Sequence, residues 1–275
     1  MPLVYACVAP HGGEVVPALT GRKPGLSPTR KGMKILATRM EEARPDTIVV
    51  ASPHNLRLQK HIGVVMSENT SGRVSEGRRE IRLHAKCDVD LAKKLTEEGE
   101  LRGLPVVGAN YGALEGPLSD LAMDWGTLIP LWFFLKRPGR RRRVVIVTPS
   151  RGIPLQQNFE FGRVVGLAAE RDSKRVAFVA SADQAHAHRK DGPYGFDRRA
   201  KEYDQLVVEA IRHDRLDSIM QLDAEFVGGA KPDGLWQMTM LAGALSVVPM
   251  EGELVSYQAP TYYGMLCASY VRGRR

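Results

Sequence analysis

Cysteine is scarce. Cys7, Cys87 and Cys267 are the three in a chain of 275 residues, and no two are close enough to form a CxxC pair. That spacing argues against a disulfide framework and against a cysteine-based zinc site, and three reduced core thiols are the expectation. Long apolar runs are also missing. No stretch approaches the roughly 20 residues that span a bilayer, and Met1-Pro2-Leu3 lacks the basic n-region of a leader, so a cytoplasmic protein without membrane contact is expected. Aromatic residues make up 7%, and none form a stacking platform beside the basic residues. No period of roughly 20 to 50 residues repeats, no linker divides the chain, and HExxH is absent.

What remains is ordinary globular material, 43% hydrophobic and 25% charged, long enough to bury a substantial core. The formal charge is +8, and much of it sits in Lys136-Arg137-Pro138-Gly139-Arg140-Arg141-Arg142-Arg143. That run leads straight into Val144-Val145-Ile146-Val147, so it reads as a solvated turn before a buried strand, and no nucleic-acid partner is inferred.

The chain is organised around Leu3 to Gly13. Apolar and β-branched residues run from Leu3 to Val8 and stop at Pro10-His11-Gly12-Gly13, a strand that delivers a histidine to a sheet edge. Thr47 to Ala51 repeats the device and ends in Ser52-Pro53-His54. Between them, Arg30 to Arg44 reads as a helix capped by Ser27 or Thr29, which makes a βαβ unit with two parallel neighbouring strands. Further strands are expected over 61–66, 104–107, 144–149, 175–180, 253–257 and 264–271. Helices are expected over 88–98, from Gly126 to Leu135, and over 158–171, 200–214, 215–224 and 235–247. Residues 67–81 read as a polar excursion and Glu225 to Gly234 as a loop. The fold class is α/β, a single domain over 1–275 with a central mostly parallel or mixed sheet flanked by helices.

Three of the seven histidines follow apolar strands: His11, His54 and His186. In an open α/β sheet the carboxyl edge of the strands is where sites assemble. If His11 and His54 are ligands, one carboxylate would complete a facial triad with open positions, which suits Fe(II). A zinc reading needs a third nitrogen or sulfur ligand, or a carboxylate with a bound water. Asp124-Trp125 before the Gly126-Thr127 turn reads either as a pocket wall or as a buried Trp beside a capping Asp. His61, His84 and His213 lie in ordinary polar contexts and are given no role.

Four segments in order carry a resemblance that spans nearly the whole chain. They are Pro10-His11-Gly12-Gly13, Ser52-Pro53-His54, Asp124-Trp125-Gly126-Thr127 with Pro130-Leu131, and the stretch from Ser181 through Asp183, His186 and His188 to Gly192-Pro193-Tyr194-Gly195-Phe196-Asp197. Together they resemble the class III extradiol ring-cleavage dioxygenases of the catalytic (B) subunit type. The resemblance implies Fe(II) held by His11 and His54, with a third ligand shortly before the last apolar helix, where Asp233 is preferred over Glu225. It implies that His186 is the acid/base group. Trp125 stands where many members have histidine, so a second acid would come from His188 or Tyr194. The implied partners are a small aromatic substrate, a catechol or 2-aminophenol, and O2, with a ring-opened semialdehyde as product. A homo-oligomer or a partner subunit is also implied. The alternative is an inactive Memo-like relative that binds a metal or a protein.

Overall fold

The computed structural model describes residues 3–135 and 142–273. From the amino end run β1 (Leu3–Ala9), α1 (Pro17–Thr20), α2 (Ser27–Ala43), β2 (Thr47–Ala51), β3 (Ile62–Val65), β4 (Asn69–Glu76), β5 (Arg79–Lys86) and α3 (Val89–Leu101). There follow β6 (Val106–Ala109), β7 (Asp120–Ala122), α4 (Trp125–Leu135), β8 (Arg143–Thr148), α5 (Leu155–Arg171), β9 (Val176–Ser181) and α6 (Arg198–Arg212). The last elements are a 3-10 turn at Leu216–Gln221, α7 (Ala224–Ala230), α8 (Leu235–Val247), β10 (Glu251–Gln258) and β11 (Met265–Val271).

Eight strands form one sheet in the order β10-β11-β1-β9-β2-β8-β3-β6. β1, β9, β2 and β8 run parallel, while β11 and β3 join that block antiparallel on either side. The expected class, an α/β domain with a mixed sheet, is the one observed. One detail differs: β1 and β2 are not neighbours, because β9 pairs with both. A strand-helix-strand crossover fixes direction and hand but not adjacency. The histidine-bearing end of β9 therefore lies between the other two.

Alternation across the strands sorts the core into two layers. Ala6, Val8, Val49, Ala51, Val145 and Val147 face one side with Leu91 of α3, Phe161 of α5, Val207 of α6 and Met238 of α8. Tyr5, Cys7, Ile48, Val50, Val144 and Ile146 face the other with Met33 of α2 and Leu128 of α4. α8 is buried nearly all round, and glycine lets it approach α5 closely. A Cβ on Gly162 would lie 1.9 Å from the Met240 carbonyl oxygen, and one on Gly243 2.0 Å from that of Phe159. This contact anchors α8, and with it Asp233 just before its first turn.

Several local expectations are corrected. Residues 67–81 are not an irregular excursion. They belong to the β4–β5 hairpin, which turns at Gly77 with φ +58 and extends with β7 into a three-stranded sheet. Its alternation is weak because most of its outward residues are polar or charged. Within Glu225 to Gly234 lies α7, capped by Asp223, which accepts the Glu225 and Phe226 N–H groups at 2.8 and 3.1 Å. α2 starts at Ser27 with Leu26 as an N-cap lacking a side-chain bond, while the Thr29 hydroxyl accepts from Gln258 instead. Asp88 caps α3 as its spacing suggests, accepting the Leu91 N–H at 3.3 Å. All three cysteines are free and buried.

Of the basic run, Lys136 to Arg141 lie outside the described residues. Arg142 is buried, bonded to the Phe134 carbonyl and the Glu41 carboxylate. Among the described residues no helix is long and apolar enough to cross a membrane.

Candidate metal centre

Four parallel strands end at one edge, and the residues just beyond them converge there. His11 follows β1, His54 follows β2, Arg151 follows β8, and Ser181 and Asp183 close β9. Asp233 arrives from the far end of the chain. Its segment docks on the β9 extension through the Ala185–Pro232 bridge and the bond from the Asp233 N–H to the Gln184 carbonyl at 3.4 Å. Gly234 permits this, since a Cβ there would lie 2.6 Å from that of Ala182 and 2.8 Å from the Asp183 carbonyl oxygen. His11, His54 and Asp233 thus form a cluster whose candidate ligand atoms all lie within 4.8 Å of one another.

The hydrogen bonds fix what His11 offers. The Ser181 hydroxyl donates to the Gly126 carbonyl, so its oxygen accepts from His11 Nδ1–H at 3.0 Å. In neutral His11, Nε2 therefore carries a lone pair. That nitrogen lies 3.1 Å from Asp233 Oδ2 and 3.3 Å from His54 Nε2, and His54 Nε2 is 3.3 Å from Asp233 Oδ2. Asp233 Oδ2 is buried without a hydrogen-bond partner. Two donors each about 2.1 Å from one cation lie about 3.0 Å apart at right angles and about 3.4 Å apart at tetrahedral angles. The three atoms match that spacing, and an N,N,O set suits Fe(II) or Zn(II). The donors fit a divalent ion.

Electrostatics point the same way. Burial alone would lower the His11 pKa, but the carboxylates of Asp183 and Asp233 raise it to about 9. In the metal-free chain a proton on His11 answers that negative field, and a dication would replace it. Burial raises the Asp233 carboxyl, yet the close approach of the His11 and His54 imidazoles, and their charge when protonated, hold it well below the usual range. Burial pushes the Asp183 carboxyl up to about 7, with His11 opposing. Asp183 holds the His11 backbone, accepting its N–H at 3.1 Å, and its other oxygen is 3.3 Å from His11 Nε2.

His186 sits in an aromatic cage. Its Nδ1–H donates to the Gln184 carbonyl at 2.8 Å, which leaves Nε2 as an acceptor in the neutral ring. Burial lowers its pKa, so that neutral form persists at pH 7. The ring stacks on Tyr263 at 5.1 Å and meets the edge of Tyr194 at 5.6 Å, with Tyr262 at 5.8 Å. The Tyr263 hydroxyl is anchored by Glu14 at 2.6 Å.

The other sequence candidates divide between the edges of these two groups and places away from them. His188 is tied through Nε2 to fully buried Asp204 at 2.8 Å, and Asp204 also accepts from the Ala185 N–H and the Tyr257 hydroxyl. That arrangement braces the backbone on both sides of His186 and gives His188 a structural partner. Tyr194 is half exposed at the rim, with Lys231 Nζ 5.8 Å from its ring centroid, beside a cleft of about 440 Å³. Glu225 is exposed on α7 and pairs with Arg199 at 3.5 Å, away from the cluster. Asp124 and Trp125 satisfy both readings in part. Asp124 caps α4, accepting the Thr127 N–H and hydroxyl at 2.9 and 2.7 Å, and also accepts from Ser52. Trp125 is not buried: it stacks on His54 at 4.0 Å with 48% of its surface exposed.

Sequence reasoning gave no role to Asp183, Arg151, Glu14 or the Tyr262-Tyr263 pair. Asp183 and Arg151 carried a usable signal, a charged side chain just past an apolar strand. The tyrosines carried none, because their place beside His186 depends on how β11 returns to the sheet.

The comparisons agree with this geometry. A family profile described as the catalytic LigB subunit of aromatic ring-opening dioxygenase matches residues 5–268. The chain is 25% identical over 251 residues to protein CA_C1420 of Clostridium acetobutylicum, covering 90% of this chain and 53% of that protein, so it spans about half the length of that curated relative. In fold it is similar to the crystal structure of uncharacterized protein JW3007 from Escherichia coli K12, with a TM-score of 0.60, 19% identity, and coverage of 97% and 99% of the two chains. With the profile spanning nearly all of its length, the chain belongs to the LigB family of aromatic ring-opening dioxygenase catalytic subunits.

Proposed function

We propose that the chain is a non-haem Fe(II)-dependent extradiol dioxygenase, one catalytic domain over 1–275 that opens the ring of a catechol or 2-aminophenol with O2 to give a semialdehyde. The observation that supports this best is the pairing of a two-histidine, one-carboxylate cluster with a neutral histidine whose Nε2 is free to accept a proton. His11, His54 and Asp233 would hold the metal. When bound, Fe(II) would supply Lewis acidity that makes a chelated hydroxyl easier to ionise, and an open redox site for O2.

The chain's own residues do the remaining work. His186 takes the substrate hydroxyl proton at Nε2, while the Gln184 carbonyl holds the opposite N–H and so fixes the tautomer. Tyr263 keeps the imidazole plane fixed by stacking, and Glu14 keeps Tyr263 in place. Tyr194 and Tyr262 offer ring surface suited to an aromatic substrate and shield the base from bulk water.

The test is oxygen uptake by anaerobically Fe(II)-loaded protein over a panel of catechols and 2-aminophenols, with His186→Ala as control. The expected result is uptake with a coloured ring-opened product, lost in the control. No uptake by iron-loaded protein across the panel would overturn the reading in favour of a metal-binding relative without the activity.

A further inference from the structure

We propose that Arg151 is a positioning residue that restricts Asp233 to one-oxygen ligation and so reserves metal positions for a chelating substrate. This rests on the metal-centre reading above. Arg151 lies just past β8 at the same sheet edge as the histidines, and its guanidinium Nη2 donates to Asp233 Oδ1. The guanidinium also lies over the Trp236 ring, 4.6 Å from its centroid. Trp236 belongs to the first turn of α8, so both contacts grip the segment that carries Asp233. The two oxygens of one carboxylate thereby receive different partners: Oδ1 faces Arg151, and Oδ2 faces His11 and His54.

The consequence concerns vacancies. An octahedral cation with three protein donors keeps about three positions, enough for a two-oxygen chelate and O2 together. If Asp233 bound through both oxygens, one of those positions would be lost. Asp233 is 8% exposed with Arg151 in place, and Arg151 is the donor to its Oδ1, so without Arg151 that oxygen is left to water or to the cation, and nothing holds it off the cation. The arginine fork answers that oxygen with a charge-assisted bond, which also draws electron density from the carboxylate. The Arg151 side chain is itself 39% exposed, so its removal opens no sealed cavity.

Arg151→Met keeps a stem against Trp236 and removes the fork, while Arg151→Lys keeps the charge without the fork. Wild type and both variants, first checked for folding by circular dichroism, are loaded with Co(II) and titrated with 4-nitrocatechol, a coloured chelator. In Arg151→Met the expected result is Co(II) affinity within about threefold of wild type, an altered Co(II) visible band, and 4-nitrocatechol binding weakened about tenfold. Arg151→Lys should fall between the two. An unchanged band with unchanged 4-nitrocatechol affinity in Arg151→Met overturns the role of Arg151, as does complete loss of Co(II) from the folded variant. Failure of the wild type to bind Co(II) overturns the metal centre as well. Co(II) and 4-nitrocatechol binding without oxygen uptake by the iron form would instead sink the enzyme reading and leave the role of Arg151 standing.

Discussion

The two ends of the parallel strands bury carboxylates in opposite ways. At the amino end, Asp88 accepts from the Thr47 hydroxyl at 2.5 Å, from the Leu91 N–H at 3.3 Å and from Lys174 Nζ at 2.7 and 2.8 Å. Those donors and the lysine charge close the cluster by themselves. At the carboxyl end, Arg151 answers only Oδ1 of Asp233, and Oδ2 faces two imidazole nitrogens that are donors only when protonated. That cluster is completed by a proton or by a cation. Both ends solve the problem of a buried charge, but the amino end solves it permanently and the carboxyl end leaves a term open. An open term of this kind is what a metal site requires.

The sharpest way to break the contrast is to remove a donor at the carboxyl end. Asp233→Ala or His11→Ala should cost at least about 100-fold in Fe(II) or Co(II) affinity, read by competition with a coloured chelator. Lys174→Met, at the other end, should leave metal affinity unchanged. Equal losses in both variants would mean that the two ends are not distinct. His186 comes next, with His186→Ala lowering kcat/KM by about 10²–10⁴-fold if it is the base. Because burial lowers its pKa, His186 is neutral above that lowered value and becomes protonated as pH falls through it. The acid limb of the rate profile should thus lie below the ordinary histidine range and vanish in His186→Ala. An acid limb that persists unchanged in the variant would assign it to another group.

Much of the carboxyl end was legible because its residues sit immediately after strands that announce themselves. Leu3–Ala9, Thr47–Ala51 and Val176–Ser181 are nearly continuous apolar runs, and each hands over to a polar residue within a few positions. Asp233 was reachable because it precedes α8, the most apolar helix of the second half. The order of the strands was not legible: β9 between β1 and β2 is decided by packing over more than a hundred residues of intervening chain. The β4–β5 hairpin hid for a different reason. Its polar faces erase the period-2 signal, and Gly77 alone marked the turn. Arg151 and Asp183 were visible as strand-end charges, but their pairing with Asp233 and His11 is a fact of three dimensions.

The remaining predictions concern stability and grow smaller in turn. Lys174→Met leaves Asp88, 1% exposed, with hydroxyl and amide donors but no counter-charge, and should cost about 3 kcal/mol in urea unfolding. A loss near zero would mean that Thr47 and Leu91 suffice. Gly162→Ala places a methyl 1.9 Å from the Met240 carbonyl oxygen, so α5 and α8 must part, at a cost of about 1–3 kcal/mol. Since α8 begins beside Asp233, the same variant should weaken metal binding slightly, whereas Lys174→Met should not.

The smallest effect is expected at Trp125. Its indole stacks on His54 at an interplanar angle of 24°, yet nearly half its surface is exposed, so it adds little to the core. What it contributes is orientation, because His54 Nδ1 is buried with no hydrogen-bond partner and nothing else described restrains that ring through Nδ1. Losing such a ring contact is worth about 0.5–1.5 kcal/mol. Trp125→Leu should therefore leave the unfolding midpoint nearly unchanged while weakening Co(II) binding by about threefold, roughly 0.6 kcal/mol. A drop in stability with unaltered metal affinity would move Trp125 from the open end of the sheet to the closed kind of packing found at the other.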